Sequence, residues 1–348
     1  MSIKRILFIG LGGAGQRQLR VLRSLLSDEV EYATFRACGK TPLLTPDFKV
    51  VENETIEDHY GLKEYRSLEE AFDAQPDIAV IANPTSLHVP TALAAASRGI
   101  DVFIEKPLGD SLVDLEKLEA SCREHQSTCY VAYQRRFHPS YVTAKRLVQQ
   151  GVLGEIVVAS FETLSFVPQW HPYEDYRRLY AVRKDLGGGV LLTESHELDL
   201  CAQLFGLPQE VFCAGGALMC QELDVEDTVS LILSYRNRAR PLTVRMFLSF
   251  MQPDTRRAWS ITGTKGHLSW CEQENTLQHH DYESGKTNIF PGNILDRDRL
   301  FVDQAQFYLQ WLAENSSTET GLEDGKASLL MAMAARRSIA SGKPEAID

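Results

Sequence analysis

Long apolar runs are missing from this 348-residue chain. No stretch approaches the roughly 20 residues that a membrane-crossing helix needs, so no membrane partner is expected. A basic excess is missing too: 36 Lys and Arg stand against 47 Asp and Glu, a formal charge of −11. Such a chain has no surplus cations to neutralise a phosphate backbone, and no nucleic-acid partner is expected. Cysteine is sparse and unordered. Cys38, Cys122, Cys129, Cys201, Cys213, Cys220 and Cys271 are odd in number and form no Cys-x-x-Cys pair. That excludes a disulfide framework and a zinc ribbon. It reads as reduced thiols in a cytoplasmic protein with no bound metal. Internal repeats and low-complexity linkers are also absent. Lys4 and Arg5 precede an apolar run, as in a secretory signal, but that run is short and ends in glycines.

What is present begins at that run. Ile6-Leu-Phe-Ile9 leads straight into Gly10-x-Gly12-x-x-Gly15, with Gly13 and Ala14 between, and Gln16-Arg17-Gln18-Leu19-Arg20 then opens a helix. Strand, glycine turn and helix N-terminus together make a pyrophosphate site. Gly10 permits the turn, Gly12 lets the backbone approach the phosphates, and Gly15 allows helix and strand to pack closely.

Length favours two domains, and 44% hydrophobic residues suffice for their cores. Strands are predicted at 4–9, 31–38, 78–82, 101–104 and 129–134, and helices at 14–27, 67–73, 88–98 and 111–125. This alternation implies a doubly wound parallel sheet of the Rossmann type. After about residue 135 a helix (139–149) leads into strands at 155–164, 211–218, 228–235, 242–250, 259–262 and 267–271. They read as an open, mainly antiparallel sheet, interrupted by a helix at 190–205 and closed by one at 322–341. The fold class is therefore α/β. Residues 1–134 are expected to form the dinucleotide-binding domain and 135–348 a second domain.

Chemistry-bearing residues cluster at predicted strand ends. Asp77-Ile-Ala-Val-Ile-Ala82 ends at Asn83-Pro84-Thr85, with His88 opening the next helix. Val102-Phe-Ile-Glu105-Lys106-Pro107 delivers a Glu-Lys pair and stops at proline. A lysine at the carboxyl end of a parallel strand lies beside the dinucleotide site. A tight turn there would use a cis Lys106–Pro107 bond.

These segments, with Gln134-Arg135-Arg136-Phe137-His138-Pro139 and Gly187-Gly-Gly…His196-x-x-Asp199, occur in an order that resembles the Gfo/Idh/MocA oxidoreductases. Trp259-Ser-Ile-Thr-Gly263-Thr-Lys-Gly266 and Asp324-Gly325…Ala334-Ala335-x-x-Ser338 extend the resemblance over nearly the whole chain. It implies an NAD- or NADP-dependent oxidoreductase of a sugar, cyclitol or sugar nucleotide. It also implies a homodimer or homotetramer formed through the second-domain sheet. Lys106 would sit at the reacting hydroxyl, and His196 would act as acid or base. Imidazole titrates near neutrality and can take the proton that oxidation releases, while an ammonium stabilises charge on the oxygen. Cofactor contacts would come from Gly10, Gly12, Gly13, Ala14, Gly15, Asn83, Pro84, Thr85, His88, Glu105 and Gln134.

Two departures stand out. Many family members carry an aspartate four residues before the histidine; this chain has Leu192. On one continuous helix Thr193 and Asp199 would share a face with His196 while Glu194 points elsewhere, so Asp199 is nominated to orient the imidazole. The second strand also ends without an acid for the ribose 2′-hydroxyl. Arg36 and Lys40 follow instead, and either could pair with a 2′-phosphate, which favours NADP slightly over NAD. Arg136, Thr193, Tyr176 and Arg177 are candidate substrate contacts beside Lys106 and His196. Tyr141-x-x-x-Lys145 has a short-chain dehydrogenase spacing that helices produce by chance, and His279-His280-Asp281 is predicted to be a loop. Two rival functions stand: a non-catalytic NAD(P)-dependent sensor, and an enzyme whose redox step is transient.

Overall fold

The computed structural model describes residues 3–37, 41–292, 298–314 and 321–347. The chain forms two compact units, one of residues 1–132 with 301–325, the other of 133–300 with 326–348.

The first unit follows the strand–helix alternation. Its elements are β1 (Arg5–Ile9), α1 (Gly13–Leu25), β2 (Glu31–Phe35), β3 (Leu43–Leu44), β4 (Val50–Val51), α2 (Ile56–Tyr60), β5 (Lys63–Glu64), α3 (Leu68–Asp73), β6 (Ile78–Ile81), α4 (His88–Ala96), β7 (Asp101–Glu105), α5 (Leu115–His125) and β8 (Cys129–Ala132). Among the described residues one sheet runs β5-β2-β1-β6-β7-β8, with every pairing parallel. Helices on both faces explain why β6, β7 and β8 are buried throughout, as near-continuous apolar runs. All carboxyl ends lie on one edge, where such sheets bind ligands.

The second unit holds α6 (Pro139–Gln149), β9 (Ile156–Phe166), α7 (Val190–Thr193), α8 (His196–Phe205), β10 (Glu210–Gly216), β11 (Thr228–Tyr235), β12 (Leu242–Ser249), β13 (Met251–Gly263), β14 (Gly266–Cys271), β15 (Thr276–Asp281) and β16 (Thr287–Pro291). Next come α9 (Arg299–Glu314), which belongs to the first unit from Phe301 on, α10 (Leu322–Ser341) and β17 (Glu345–Ala346). The described strands order as β16-β15-β14-β13-β9-β12-β11-β10-β17. Pairing is antiparallel except where β12 runs parallel to β9. On β11, Val229, Leu231 and Leu233 are buried while Ile232 is exposed, the period of a sheet with one covered face.

Three sequence expectations change. The helix expected at 190–205 is broken between Thr193 and His196. His279, His280 and Asp281 lie on β15 rather than in a loop. The second strand stops at Phe35, not residue 38. The hairpin β3–β4, α2 and α9 carry no signal in the sequence reading. Among the described residues no helix is long and apolar enough to cross a membrane.

Candidate active site

The glycine turn joins β1 to α1. Gly10 has φ +93°, and a Cβ there would lie 2.5 Å from the Ala82 carbonyl oxygen. A Cβ on Gly15 would lie 2.3 Å from the Gly10 oxygen, so helix and turn meet backbone to backbone. At Gly12 a Cβ would meet nothing within 4 Å: the cradle is open at the position where a phosphate would approach. Gly12 caps α1 without a side-chain hydrogen bond, and the first turn, which includes Gly13 and Ala14, carries no acid. These features fit a dinucleotide pyrophosphate on the N–H groups of the helix.

Polar residues behind the cradle are buried for identifiable reasons. Gln16 donates to Leu11 and Pro42 carbonyls and accepts from the Leu44 N–H, fastening β3 to the turn. Arg17 lies between the rings of Phe48 and Phe301, 4.7 and 4.6 Å from their centroids. Gln18 donates to Glu105 at 2.6 Å. Glu105 is buried at the end of β7, and burial raises its pKa. Through the Gln18 bond it faces α1.

Lys106 follows Glu105 at the carboxyl edge of the sheet, partly buried, and its bond to Pro107 is cis. Asn83, Pro84 and Thr85 leave β6 on the same edge, with Thr85 buried. His88 is buried, with Nδ1 2.7 Å from the Pro107 oxygen and Nε2 2.9 Å from the Asn83 oxygen. Burial lowers its pKa. Its ring ties the β6 and β7 loops together, so it braces the site rather than offering a donor to a ligand.

Beside the turn, the Gly10 N–H donates to the Phe35 oxygen at 3.2 Å, holding the end of β2 against the cradle. The Arg36 guanidinium pairs with Glu57, with Glu64 3.8 Å away. Arg36 was expected to be available to a 2′-phosphate; its charge is already met. Lys40 lies outside the described residues.

In the second unit, Tyr133, Arg136, His196 and Asp199 form a cluster. Gln134 and Arg136 lie in a short turn, Gln134–Phe137. Arg136 donates Nε and Nη2 to the two oxygens of Asp199, at 2.8 and 2.5 Å. Its guanidinium lies 5.3 Å from the Tyr133 ring centroid. That ring meets His196 edge to face at 5.7 Å, and its hydroxyl hydrogen-bonds Ser328 at 2.7 Å. The bidentate pair holds Arg136, a candidate substrate contact, against both Asp199 oxygens. Leu192 and Thr193 are buried in α7, on a separate helix from His196, so the shared-face argument holds only for Asp199.

The break between α7 and α8 contains Glu194. Glu194 accepts from Arg257 at 2.7 Å and from Ser165 at 2.8 Å, and Arg257 also lies 3.3 Å from Glu197. All three charged side chains are nearly buried. Burial, and then the Glu194 charge, push Glu197 up to about 8. Sequence reading missed Arg257 and Glu57, because each meets its partner across a long stretch of chain. Tyr176 and Arg177 lie in a turn (Tyr176–Arg178), with Arg177 exposed, stacked 4.7 Å over Tyr176 and paired with Asp175. Among the described residues no group of three or more His, Cys, Asp or Glu is placed to hold a metal ion.

Residues 4–133 match the family described as "Oxidoreductase family, NAD-binding Rossmann fold", and residues 141–269 match "GFO/IDH/MocA C-terminal domain". The chain is 25% identical to 2,7-anhydro-N-acetylneuraminate hydratase of Mediterraneibacter gnavus, over 76% of each chain. It is 24% identical to myo-inositol 2-dehydrogenase of Thermotoga maritima, over 96% of each. The solved structure of an oxidoreductase domain protein from Kribbella flavida shares the fold, with a TM-score of 0.81, 18% identity and full coverage of both chains.

Proposed function

This chain belongs to the Gfo/Idh/MocA oxidoreductases, and from that premise we propose that it moves a hydride between a nicotinamide dinucleotide and a secondary hydroxyl or ketone carbon of a sugar, cyclitol or sugar nucleotide. The observation that carries this reading is Lys106 on the same sheet edge as the open glycine cradle. A bound nicotinamide would take or supply the hydride. The glycine turn and the first turn of α1 bind the phosphates. The Lys106 ammonium stabilises the negative charge that develops on the substrate oxygen. His196 accepts the hydroxyl proton in oxidation and returns it in reduction. With Leu192 in place of an acid, the Arg136–Asp199 pair fixes the helix that carries His196. Tyr176 and Arg177 contribute to the sugar-binding surface.

The test is a screen of purified protein for nicotinamide absorbance change with NAD(H) and NADP(H) across sugars, cyclitols and sugar nucleotides. Lys106→Met and His196→Asn each lower kcat by about 100-fold or more while leaving nucleotide binding intact. Normal turnover by either variant contradicts the roles. Nucleotide binding without turnover of any substrate would favour a sensor. The hydratase name of one relative favours a second reading, a redox step that is transient. In that case product forms with no net change in nicotinamide absorbance.

Assembly is proposed through the open face of the second-unit sheet. Phe212 and Ile232 are direct cross-strand partners and both are exposed there. Such an apolar pair suits a second copy of the chain as homodimer or homotetramer.

A further inference from the structure

Resting on the nucleotide-binding reading above, we infer that this chain selects NAD(H) over NADP(H), and that Glu57 supplies from α2 the carboxylate that β2 lacks. In this fold the adenosine ribose lies at the carboxyl end of β2. Here that end is held to the cradle by the bond from the Gly10 N–H to the Phe35 oxygen. The next residue, Arg36, read by itself, suggests a 2′-phosphate ligand. Its surroundings reverse that reading.

Glu57 reaches this place through local chain geometry. Thr55 caps α2, its hydroxyl accepting from the Asp58 N–H at 3.1 Å, and Glu57 sits in the first turn. Gly61 ends the helix at φ +62°, and the chain returns as β5 beside β2, pairing Thr34 with Glu64. Two carboxylates thus meet one guanidinium, a net charge of −1 among the described residues. The Arg36 and Glu57 side chains are only 6% and 15% exposed.

Charge then decides between the cofactors. A phosphate monoester carries about −1.5 to −2 at neutral pH. To engage Arg36, a 2′-phosphate would have to compete with Glu57 for the guanidinium and sit beside two carboxylates, one of them nearly buried. A 2′-hydroxyl meets no such conflict. It would donate to Glu57, whose carboxylate is ion-paired with Arg36 and retains acceptor lone pairs. Arg36 is then a positioning residue, and Glu57 the specificity residue.

The experiment is a titration of the purified protein with NADH and with NADPH, followed by nicotinamide fluorescence and calorimetry. Wild type is expected to bind NADH at least about tenfold more tightly. Glu57→Gln should weaken NADH, strengthen NADPH through the released Arg36, and narrow the ratio by about tenfold. Lys40→Ala should leave the ratio unchanged. NADPH binding as tight as NADH in wild type, or a ratio that moves with Lys40→Ala and not with Glu57→Gln, overturns the inference. If Glu57→Gln fails to fold in a thermal melt, the wild-type ratio and Lys40→Ala still decide. Binding of neither nucleotide would overturn the nucleotide-binding reading itself.

Discussion

Three buried ionisable side chains set the character of the second unit. Arg257 lies between Glu194 and Glu197, and one guanidinium balances one carboxylate. Glu194 also accepts from Ser165, and burial, followed by the neighbouring Glu194 charge, raises the Glu197 pKa to about 8. An acid whose pKa is raised by folding stabilises the fold most below its unfolded value, near 4.3. That stability is lost as pH rises through the folded value. Unfolding free energy should therefore fall between about pH 5 and pH 8. Glu197→Gln should flatten the fall, as measured by denaturant unfolding at several pH values. An unchanged pH profile in that variant would show that another group titrates. Arg257→Met should destabilise by about 3–5 kcal/mol, because Glu194 is left buried without its partner. Glu197 and Glu194 flank His196 in sequence, where only His196 has an obvious chemical role. Their burial came from a strand about 60 residues away, which no local motif announces.

The break between α7 and α8 separates what periodicity joined. Apolar spacing from Val190 to Phe205 suits one helix, yet Glu194 turns to Arg257 and the helix restarts at His196. The histidine consequently sits in the first turn of α8, with Asp199 still on its own helix. The glycine turn was legible because backbone sterics alone dictate its residues. Gly12 and Gly15 separate the two uses of such residues. Gly12 has ordinary φ and open space around it, whereas Gly15 abuts the Gly10 carbonyl. Gly12→Val should leave the melting temperature nearly unchanged and weaken nucleotide binding by at least about tenfold. Gly15→Val should instead destabilise the protein itself. Equal melting losses in both variants would contradict the open cradle. The hairpin β3–β4 was not legible, because its strands are two residues each and Gln16, a polar helix residue, is what fastens it.

At the scale of the whole molecule, the two sheet classes could be read from alternation alone, because covering helices impose runs and an open face imposes period two. The return of the chain to the first unit could not. α9 places Phe301, Ala305, Tyr308 and Leu312 in the first unit's core, where the Tyr308 ring lies 5.0 Å from Phe103 and 5.2 Å from Tyr130. An amphipathic helix reveals that it has an apolar face but not which core receives it. Tyr308→Ala should cost about 3–5 kcal/mol in chemical denaturation, the range for emptying a buried aromatic site. Ile232→Arg on the exposed sheet face should shift the protein toward monomer in sedimentation, with folding intact.

The proposed redox chemistry at a carbinol carbon takes Lys106 and His196 as its protein groups. The most direct measurement is a single-turnover reaction with deuterium at the carbinol carbon of whichever substrate the screen identifies. Transfer to the nicotinamide ring should appear by mass spectrometry in the wild type and fall by about 100-fold or more in Lys106→Met. Product formation with no deuterium passing to the nicotinamide, even transiently, would contradict it.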